Sequence, residues 1–209
     1  RDQLIRPGMM VVDLGAAPGS WSQVVMQKLQ GRGQLLAIDL LPIAPLPGMQ
    51  VMQGDFGSDA GQAWLEEKLQ QSTARWKFVA HHHAPYSADD DDYGNSWKGV
   101  GEFGDKAIRK IVPLYEKYGV DMVFFGHLHT YQRTLPIKDN LVDRKNGVIY
   151  VQGGGGGGNL EDFAPSRAWF SAKTYRGHHY FTVTVHGSEL NFRMYDTEGR
   201  LKDFLDLTK

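Results

Sequence analysis

The chain has 209 residues, a formal net charge of −1 and no cysteine. This length suffices for one large or two small domains with a buried core. The near-neutral charge gives no global basic field for nucleic acid, so we do not expect nucleic acid as a partner. The lack of cysteine excludes disulfides and thiolate metal sites. No apolar run approaches the roughly 20 residues of a membrane span, and no targeting segment is evident. Compartment and oligomeric state stay open.

The first part of the chain predicts a β-α-β-β arrangement. Met9–Leu14 is a short apolar run typical of a strand that is buried on both faces. Ser20–Leu29 has the apolar spacing of an amphipathic helix, and residues 34–41 and 49–53 predict two further strands. In a parallel sheet, three aspartates would then lie near the carboxyl ends of strands, where ligands of α/β sheets bind. These residues are Asp13, Asp39 and Asp55.

Residues 13–21, DLGAAPGSW, form a glycine-rich turn between the first strand and the first helix. Such a turn lets a ligand approach the backbone at a helix N-terminus, and an acid after the second strand can accept hydrogen bonds from ribose hydroxyls. A purely structural strand-to-helix turn has the same pattern. The turn alone therefore leaves both interpretations open.

Three stretches, VVDLGAAPGSWSQ, AIDLLP and QGDF, resemble the FtsJ-like ribosomal RNA ribose 2′-O-methyltransferases, and we assign this resemblance to residues 1–57. It implies bound S-adenosylmethionine, with Asp39 toward the ribose and Asp55 toward the adenine. The implied cofactor-binding residues are Gly15, Ala16, Pro18, Gly19, Trp21, Asp39 and Asp55. The family's catalytic lysines, aspartate and glutamate have no match here. We therefore expect methyl transfer to be lost, and half of the Rossmann-like sheet to be missing.

The remaining chain predicts helices at residues 62–69 and 105–118, and strands at 77–80 and 120–125. After these the pattern becomes β-rich, with strands predicted at residues 147–152, 179–185, 189–195 and 201–207. The acidic run at residues 89–92 predicts a solvated loop. The glycine run at residues 153–158 predicts a closely packed loop rather than a phosphate cradle.

All eight histidines follow residue 80, and two clusters of them lie at strand ends. His127 and His129 follow Gly126, which permits a tight turn, and neutral imidazoles suit zinc, iron or manganese. Residues 76–87, 115–134 and 148–157 resemble the C-terminal half of calcineurin-like metallophosphoesterases of the purple acid phosphatase type. We assign this second resemblance to residues 58–209. It implies that His82, His127 and His129 are catalytic metal ligands. His81 and His83 would then contact these ligands without binding metal, or be exposed.

We expect an α/β fold in one composite domain, residues 1–209. A Rossmann-like βαβ unit joins a metallophosphoesterase-like α/β sandwich half that ends in antiparallel strands. The main functional hypothesis is a metal-dependent phosphoesterase that hydrolyses small phosphate mono- or diesters. Its one or two zinc, manganese or iron ions would be held by Asp13, Asp39, Asp55, His82, His127 and His129. The alternatives are an S-adenosylmethionine-binding, methyltransferase-like module and a non-catalytic recombinant of two half-domains.

Overall fold

The computed structural model describes residues 5, 7–89, 103–165 and 167–209. The first part of the chain alternates strands and helices. In chain order these are β1 (Met9–Leu14), α1 (Ser20–Leu29), β2 (Gly33–Asp39), β3 (Met49–Gln53), α2 (Asp59–Gln71), β4 (Lys77–His81), α3 (Lys106–Arg109), α4 (Val112–Lys117) and β5 (Met122–Phe125). The second part consists of strands: β6 (Tyr131–Thr134), β7 (Ile137–Lys138), β8 (Leu141–Val142), β9 (Ile149–Gly153), β10 (Ser171–Tyr175), β11 (His179–His186), β12 (Glu189–Asp196) and β13 (Leu201–Thr208).

The main sheet has the strand order β10-β6-β9-β5-β4-β1-β2-β3. Strand β1 lies between β4 and β2 and pairs with both in parallel, so Val12 is opposite Leu36 on one side and Val79 on the other. Strand β5 pairs in parallel with both β4 and β9, whereas β6 and β10 extend the edge antiparallel. The predicted α/β class is confirmed. The expectation that half of the Rossmann-like sheet is missing is wrong, because β4 and β5 continue it.

The two faces of the main sheet are covered by different layers. On one face, Val25 and Leu29 of α1 pack with Val11, and the separate sheet β11-β12-β13 packs Phe192 against the same core that contains Tyr131. On the other face, α2 and α4 bury Leu65, Leu69 and Tyr115 among residues of β1, β2 and β4. Burial of both faces explains why the central strands read as continuous apolar runs.

The second sheet is joined to the main sheet by buried polar contacts as well as by apolar packing. Tyr131 Oη on β6 donates to Asp203 Oδ2 on β13 at 2.6 Å. Arg133 donates to the two oxygens of the same carboxylate from Nε at 2.7 Å and from Nη2 at 2.9 Å. Trp76 Nε1 donates to the carbonyl oxygen of Gly187 at 3.0 Å. These bonds hold the second sheet in one position against the main sheet.

The predicted helix at residues 105–118 is instead two short helices. Asp105 caps α3 by accepting from the backbone N–H groups of Ala107 and Ile108 at 2.7 and 3.3 Å. Pro113 lies in the first turn of α4. Proline has no N–H to donate to the preceding turn, so it fits the start of a new helix but not the middle of one.

Two loop predictions have different outcomes. Asp89 is fully buried and forms a bridge with Phe163, so the prediction of a solvated loop is wrong for this residue; residues 90–92 lie outside the described residues. The glycine run is closely packed at four of its six positions: a Cβ on Gly153, Gly154, Gly155 or Gly158 would collide with a neighbouring atom, whereas Gly156 and Gly157 face open space. Within the described ranges, no helix is both long enough and apolar enough to cross a bilayer.

Candidate functional site

The turn between β1 and α1 lies at the carboxyl edge of the main sheet. Gly15 and Gly19 have φ values of +87° and +99°, in the region that favours glycine. The N–H groups of Gly15 and Ala16 donate to the carbonyl oxygen of Ile38 at 2.8 and 3.2 Å, which ties the turn to β2. A Cβ added to Gly15 would meet no atom within 4 Å. The turn therefore needs glycine for its conformation and faces open space there.

Asp39, the last residue of β2, is held beside this turn. Its Oδ2 accepts from the N–H of Ala17 at 2.9 Å, and its Oδ1 accepts from the N–H of Leu41 at 2.8 Å. Each carboxylate oxygen can accept a further hydrogen bond, and the side chain is only partly buried. Asp39 is thus oriented by the backbone and keeps acceptor capacity for a ligand.

Exposed apolar side chains follow this carboxylate in the chain. Leu40 and Leu41, directly after Asp39, are 68% and 64% exposed. Ala16 and Ile43 form a small buried cluster with Ala37 next to the turn. A carboxylate next to apolar residues suits a ligand that has both hydroxyls and an apolar part, such as a nucleoside.

Asp55, after β3, is exposed and accepts from the N–H of Gly57 through Oδ1 at 2.7 Å. Asp13 differs, because it is buried and its Oδ2 accepts from the hydroxyl of Ser22 on α1 at 3.0 Å. Burial raises the pKa of Asp13, against the lowering effect of that hydrogen bond. Asp13 therefore joins α1 to β1 rather than facing the open edge of the sheet.

The first histidine cluster forms at the carboxyl ends of β4 and β5. His82 Nε2 lies 3.0 Å from His127 Nδ1, so the structure brings these two predicted residues together. The ring centroid of His83 lies 4.6 Å from that of His127. Burial lowers the pKa of His82, and the neighbouring His83 and His127 lower it further. The close approach of His83 is not apparent from the sequence, where this residue differs from His82 only by its position in the run.

His129 lies apart from this cluster. Its Nδ1 is 2.7 Å from the carbonyl oxygen of Asn159, and its backbone N–H donates to Glu161 Oε2 at 2.7 Å. Across residues 5, 7–89, 103–165 and 167–209, no three His, Asp or Glu side chains are grouped so that they could hold a metal ion. The predicted six-residue metal centre is therefore not assembled. Asp13 accepts from Ser22 of α1, Asp39 and Asp55 accept from backbone N–H groups, and His129 bonds to Asn159 and Glu161.

His81 supports the fold and makes its stability depend on pH. The ring lies between Phe125 and Tyr115, with centroids 6.1 and 6.3 Å away, and burial lowers its pKa to about 4. In the unfolded chain the pKa of this histidine is near 6.5. At pH values between the two pKa values, the unfolded state binds the proton more tightly than the folded state. The stability of the fold therefore falls as the pH falls. We expect the titration of His81 to lower the free energy of unfolding by about 2 kcal/mol when the pH falls from 7.5 to 5, at 1.36 kcal/mol per pKa unit.

Urea unfolding of the wild type and of His81→Phe at both pH values measures this contribution. Phenylalanine can stack between the same two rings and does not titrate. On acidification, the free energy of unfolding should fall by about 2 kcal/mol less in the variant than in the wild type. An equal loss in both proteins would contradict the assignment to His81.

Comparison with known proteins identifies the family. The family model described as FtsJ-like methyltransferase matches residues 1–123, more than half of the chain. The chain belongs to the FtsJ-like methyltransferase family. Ribosomal RNA large subunit methyltransferase E of Thiobacillus denitrificans is 58% identical to this FtsJ-like chain over 85 residues, 41% of the chain and 38% of that relative. The protein of the same name from Azoarcus sp. is 56% identical over 69 residues, 33% of the chain and 34% of the relative. The FtsJ-like chain thus spans about a third to two fifths of these relatives.

A solved structure has a fold similar to that of the FtsJ-like chain over the full length of the chain. Purple acid phosphatase PPD1 from yellow lupin seeds matches with a TM-score of 0.64 and 17% identity, covering 100% of the chain and 54% of the phosphatase. At this identity the similarity concerns the fold alone. It does not extend the phosphatase activity to this chain.

These findings correct three predictions. The FtsJ-like match extends to residue 123, past β4 and into β5, rather than ending at residue 57. The prediction of a phosphate-ester hydrolase is wrong, because the relatives are methyltransferases, and methyl transfer belongs to another reaction class. The prediction against a nucleic-acid partner is also wrong, since those relatives are named for ribosomal RNA. A net charge of −1 for the whole chain does not report the charge of a local surface.

Proposed function

We propose that this chain binds S-adenosylmethionine at the turn between β1 and α1 and that its macromolecular partner is ribosomal RNA. The observation that carries the proposal is the carboxylate of Asp39, held by the N–H groups of Ala17 and Leu41 beside an open glycine turn. When bound, S-adenosylmethionine supplies a methyl group activated by its sulfonium. The RNA part of the proposal follows the names of the relatives.

The residues around the turn contact different parts of the cofactor. Gly15 and Gly19 let the backbone approach the ligand, and Asp39 accepts hydrogen bonds from the ribose hydroxyls. Asp55 lies toward the adenine, and Trp21 presents an exposed aromatic ring on α1. The full proposed set is Gly15, Ala16, Pro18, Gly19, Trp21, Asp39 and Asp55.

The rest of the chain supports this site. Strands β9, β6 and β10 extend the sheet, and β11 to β13 cover one of its faces. The residue that follows β4 is His82, where the family resemblance implies a catalytic aspartate. The proposal therefore assigns to the described residues the cofactor-binding part of a ribosomal RNA methyltransferase, and to the C-terminal strands a scaffolding role.

Titration of the wild-type chain with S-adenosylmethionine by calorimetry tests the proposal, with ATP as the control ligand. ATP shares the adenosine but lacks the methionine part, so we expect one-to-one binding of S-adenosylmethionine and much weaker binding of ATP. At a cofactor concentration 100 times Kd, the folded state should gain about 2.7 kcal/mol, a rise in Tm of roughly 5–10 °C. Absence of both heat and thermal stabilisation would contradict the proposal and favour a non-catalytic recombinant.

A further inference from the structure

A pocket of about 430 Å³ opens beside α3, and none of its described lining residues belongs to the β1–α1 turn. Four of the residues that line it are aromatic. Trp169 is 45% exposed, whereas Tyr86 and Phe170 are fully buried. The rings of Trp169 and Phe170 meet edge to face, with centroids 5.2 Å apart at 82°, and Phe103 meets Phe170 at 5.8 Å and 90°. Buried rings thus hold the indole of Trp169 in place while part of it faces solvent.

Two cations and an amide complete this aromatic pocket. Arg109 stacks on Tyr86, with its guanidinium carbon 4.9 Å from the ring centroid, and donates to the carbonyl oxygens of Pro85 and Phe103 at 3.0 and 2.7 Å. Lys106 is exposed at the start of α3. Asn140 Oδ1 accepts from the hydroxyl of Tyr86 at 2.8 Å.

We propose that the aromatic pocket binds one nucleotide of single-stranded RNA, with its base against Trp169 and its phosphate facing Lys106 and Arg109. Proteins hold single-stranded RNA by stacking bases on exposed aromatic rings and by placing cations along the backbone. The volume lies within the roughly 300–1,000 Å³ of small-ligand pockets. The inference rests on the proposed function in one respect, the choice of RNA as the polyanion.

The convergence of separate chain segments supports a built site rather than an incidental surface. Trp169 comes from the segment before β10, Lys106 and Arg109 from α3, and Asn140 from the turn between β7 and β8. The backbone bonds of Arg109 fix its positive charge at the pocket before any ligand arrives. Such preorganisation reduces the entropy lost on binding.

Fluorescence anisotropy with the full chain and a fluorescein-labelled hexauridylate RNA tests the proposal. We expect Trp169→Ala to weaken binding at least tenfold and Trp169→Phe to keep it within about threefold, since phenylalanine retains a stacking face. Lys106→Ala should weaken binding a few-fold and lower the slope of log affinity against log salt by about 0.7. Lys173→Ala, an exposed cation on β10 that does not line the pocket, should change neither quantity.

Calorimetry with S-adenosylmethionine on the same variants separates this proposal from the proposed function. Trp169→Ala should bind the cofactor as the wild type does. A wild type that binds S-adenosylmethionine but not the RNA would overturn the pocket assignment and leave the cofactor site standing. Equal losses in Trp169→Ala and Lys173→Ala, or full affinity in both, would also overturn it. Thermal melting followed by circular dichroism establishes that each variant is folded.

Discussion

Asp39→Ala should weaken S-adenosylmethionine binding by about 100-fold, corresponding to about 2.7 kcal/mol at 25 °C. The carboxylate is the proposed acceptor for two ribose hydroxyls, and hydrogen bonds to a charged group contribute about 1.5–3 kcal/mol each. It also accepts from the N–H groups of Ala17 and Leu41, so its removal loosens the turn as well as removing the acceptor. Calorimetric titration of the purified variant measures the change in Kd.

Two further variants separate these effects. Asp39→Asn keeps one carbonyl oxygen for the backbone N–H groups but loses the charge, so we expect an affinity between those of the wild type and Asp39→Ala. Asp206→Asn changes an exposed aspartate on β13 that also accepts hydrogen bonds, and it should leave cofactor affinity unchanged. Wild-type affinity in Asp39→Ala would place the cofactor elsewhere on the chain.

The local structure around the proposed cofactor-binding residues could be predicted from sequence because the pattern that specifies it is local. The glycine turn and helix α1 are continuous in sequence, and the structure gives α1 the predicted bounds, Ser20–Leu29. The position of Asp39 could also be predicted, because this residue ends a strand that is recognisable in the sequence. The binding role of these residues stays a prediction until the cofactor is titrated.

The arrangement of the histidines could not be predicted in the same way. The spacing of His127 and His129 indicates that both follow a strand, but it does not show where each ring lies. His129 is held by Asn159 and Glu161, about thirty residues further along the chain. Such long-range partners leave no local signal, so the position of the His129 ring could not be predicted from the spacing of the two histidines.

The strand β6 was missed because its buried residues are polar. Gln132 and Thr134 are fully buried, which breaks the apolar alternation that predicts a strand. Each is stabilised from a distance: Gln132 Oε1 accepts from the N–H of Ala88 at 2.9 Å, and Thr134 Oγ1 accepts from the N–H of Tyr150 at 3.0 Å. Most buried polar side chains have such partners, and these partners come together only in the folded chain.

Asp203→Ala should reduce the free energy of unfolding by about 3–5 kcal/mol, the usual cost of removing one partner of a buried ion pair. The carboxylate accepts from Tyr131 and twice from Arg133, and both charged side chains are largely buried, so the variant leaves a guanidinium and a hydroxyl without their acceptor. For a chain of this length, we expect Tm to fall by roughly 10 °C. Urea denaturation followed by circular dichroism measures the change.

Asp206→Ala is a matched control because Asp206 lies on the same strand, β13, and also makes two bonds to an arginine, Arg193. Asp206 is exposed and Arg193 is partly exposed, and ion pairs in contact with solvent contribute little to stability, so we expect Tm to change little. A similar loss in both variants would mean that the strand itself, rather than the buried carboxylate, is sensitive to substitution.

The shape of the unfolding curve also tests the prediction that residues 1–209 form one composite domain. Asp203 lies on the second sheet, whereas Tyr131 and Arg133 lie on the main sheet. If the two sheets unfold as one cooperative unit, Asp203→Ala should shift a single transition without splitting it. Two separate transitions, with only the less stable one shifted by the substitution, would contradict a single domain. In the cooperative case, cofactor bound at the β1–α1 turn should raise the Tm of Asp203→Ala, because ligand binding stabilises the whole folding unit.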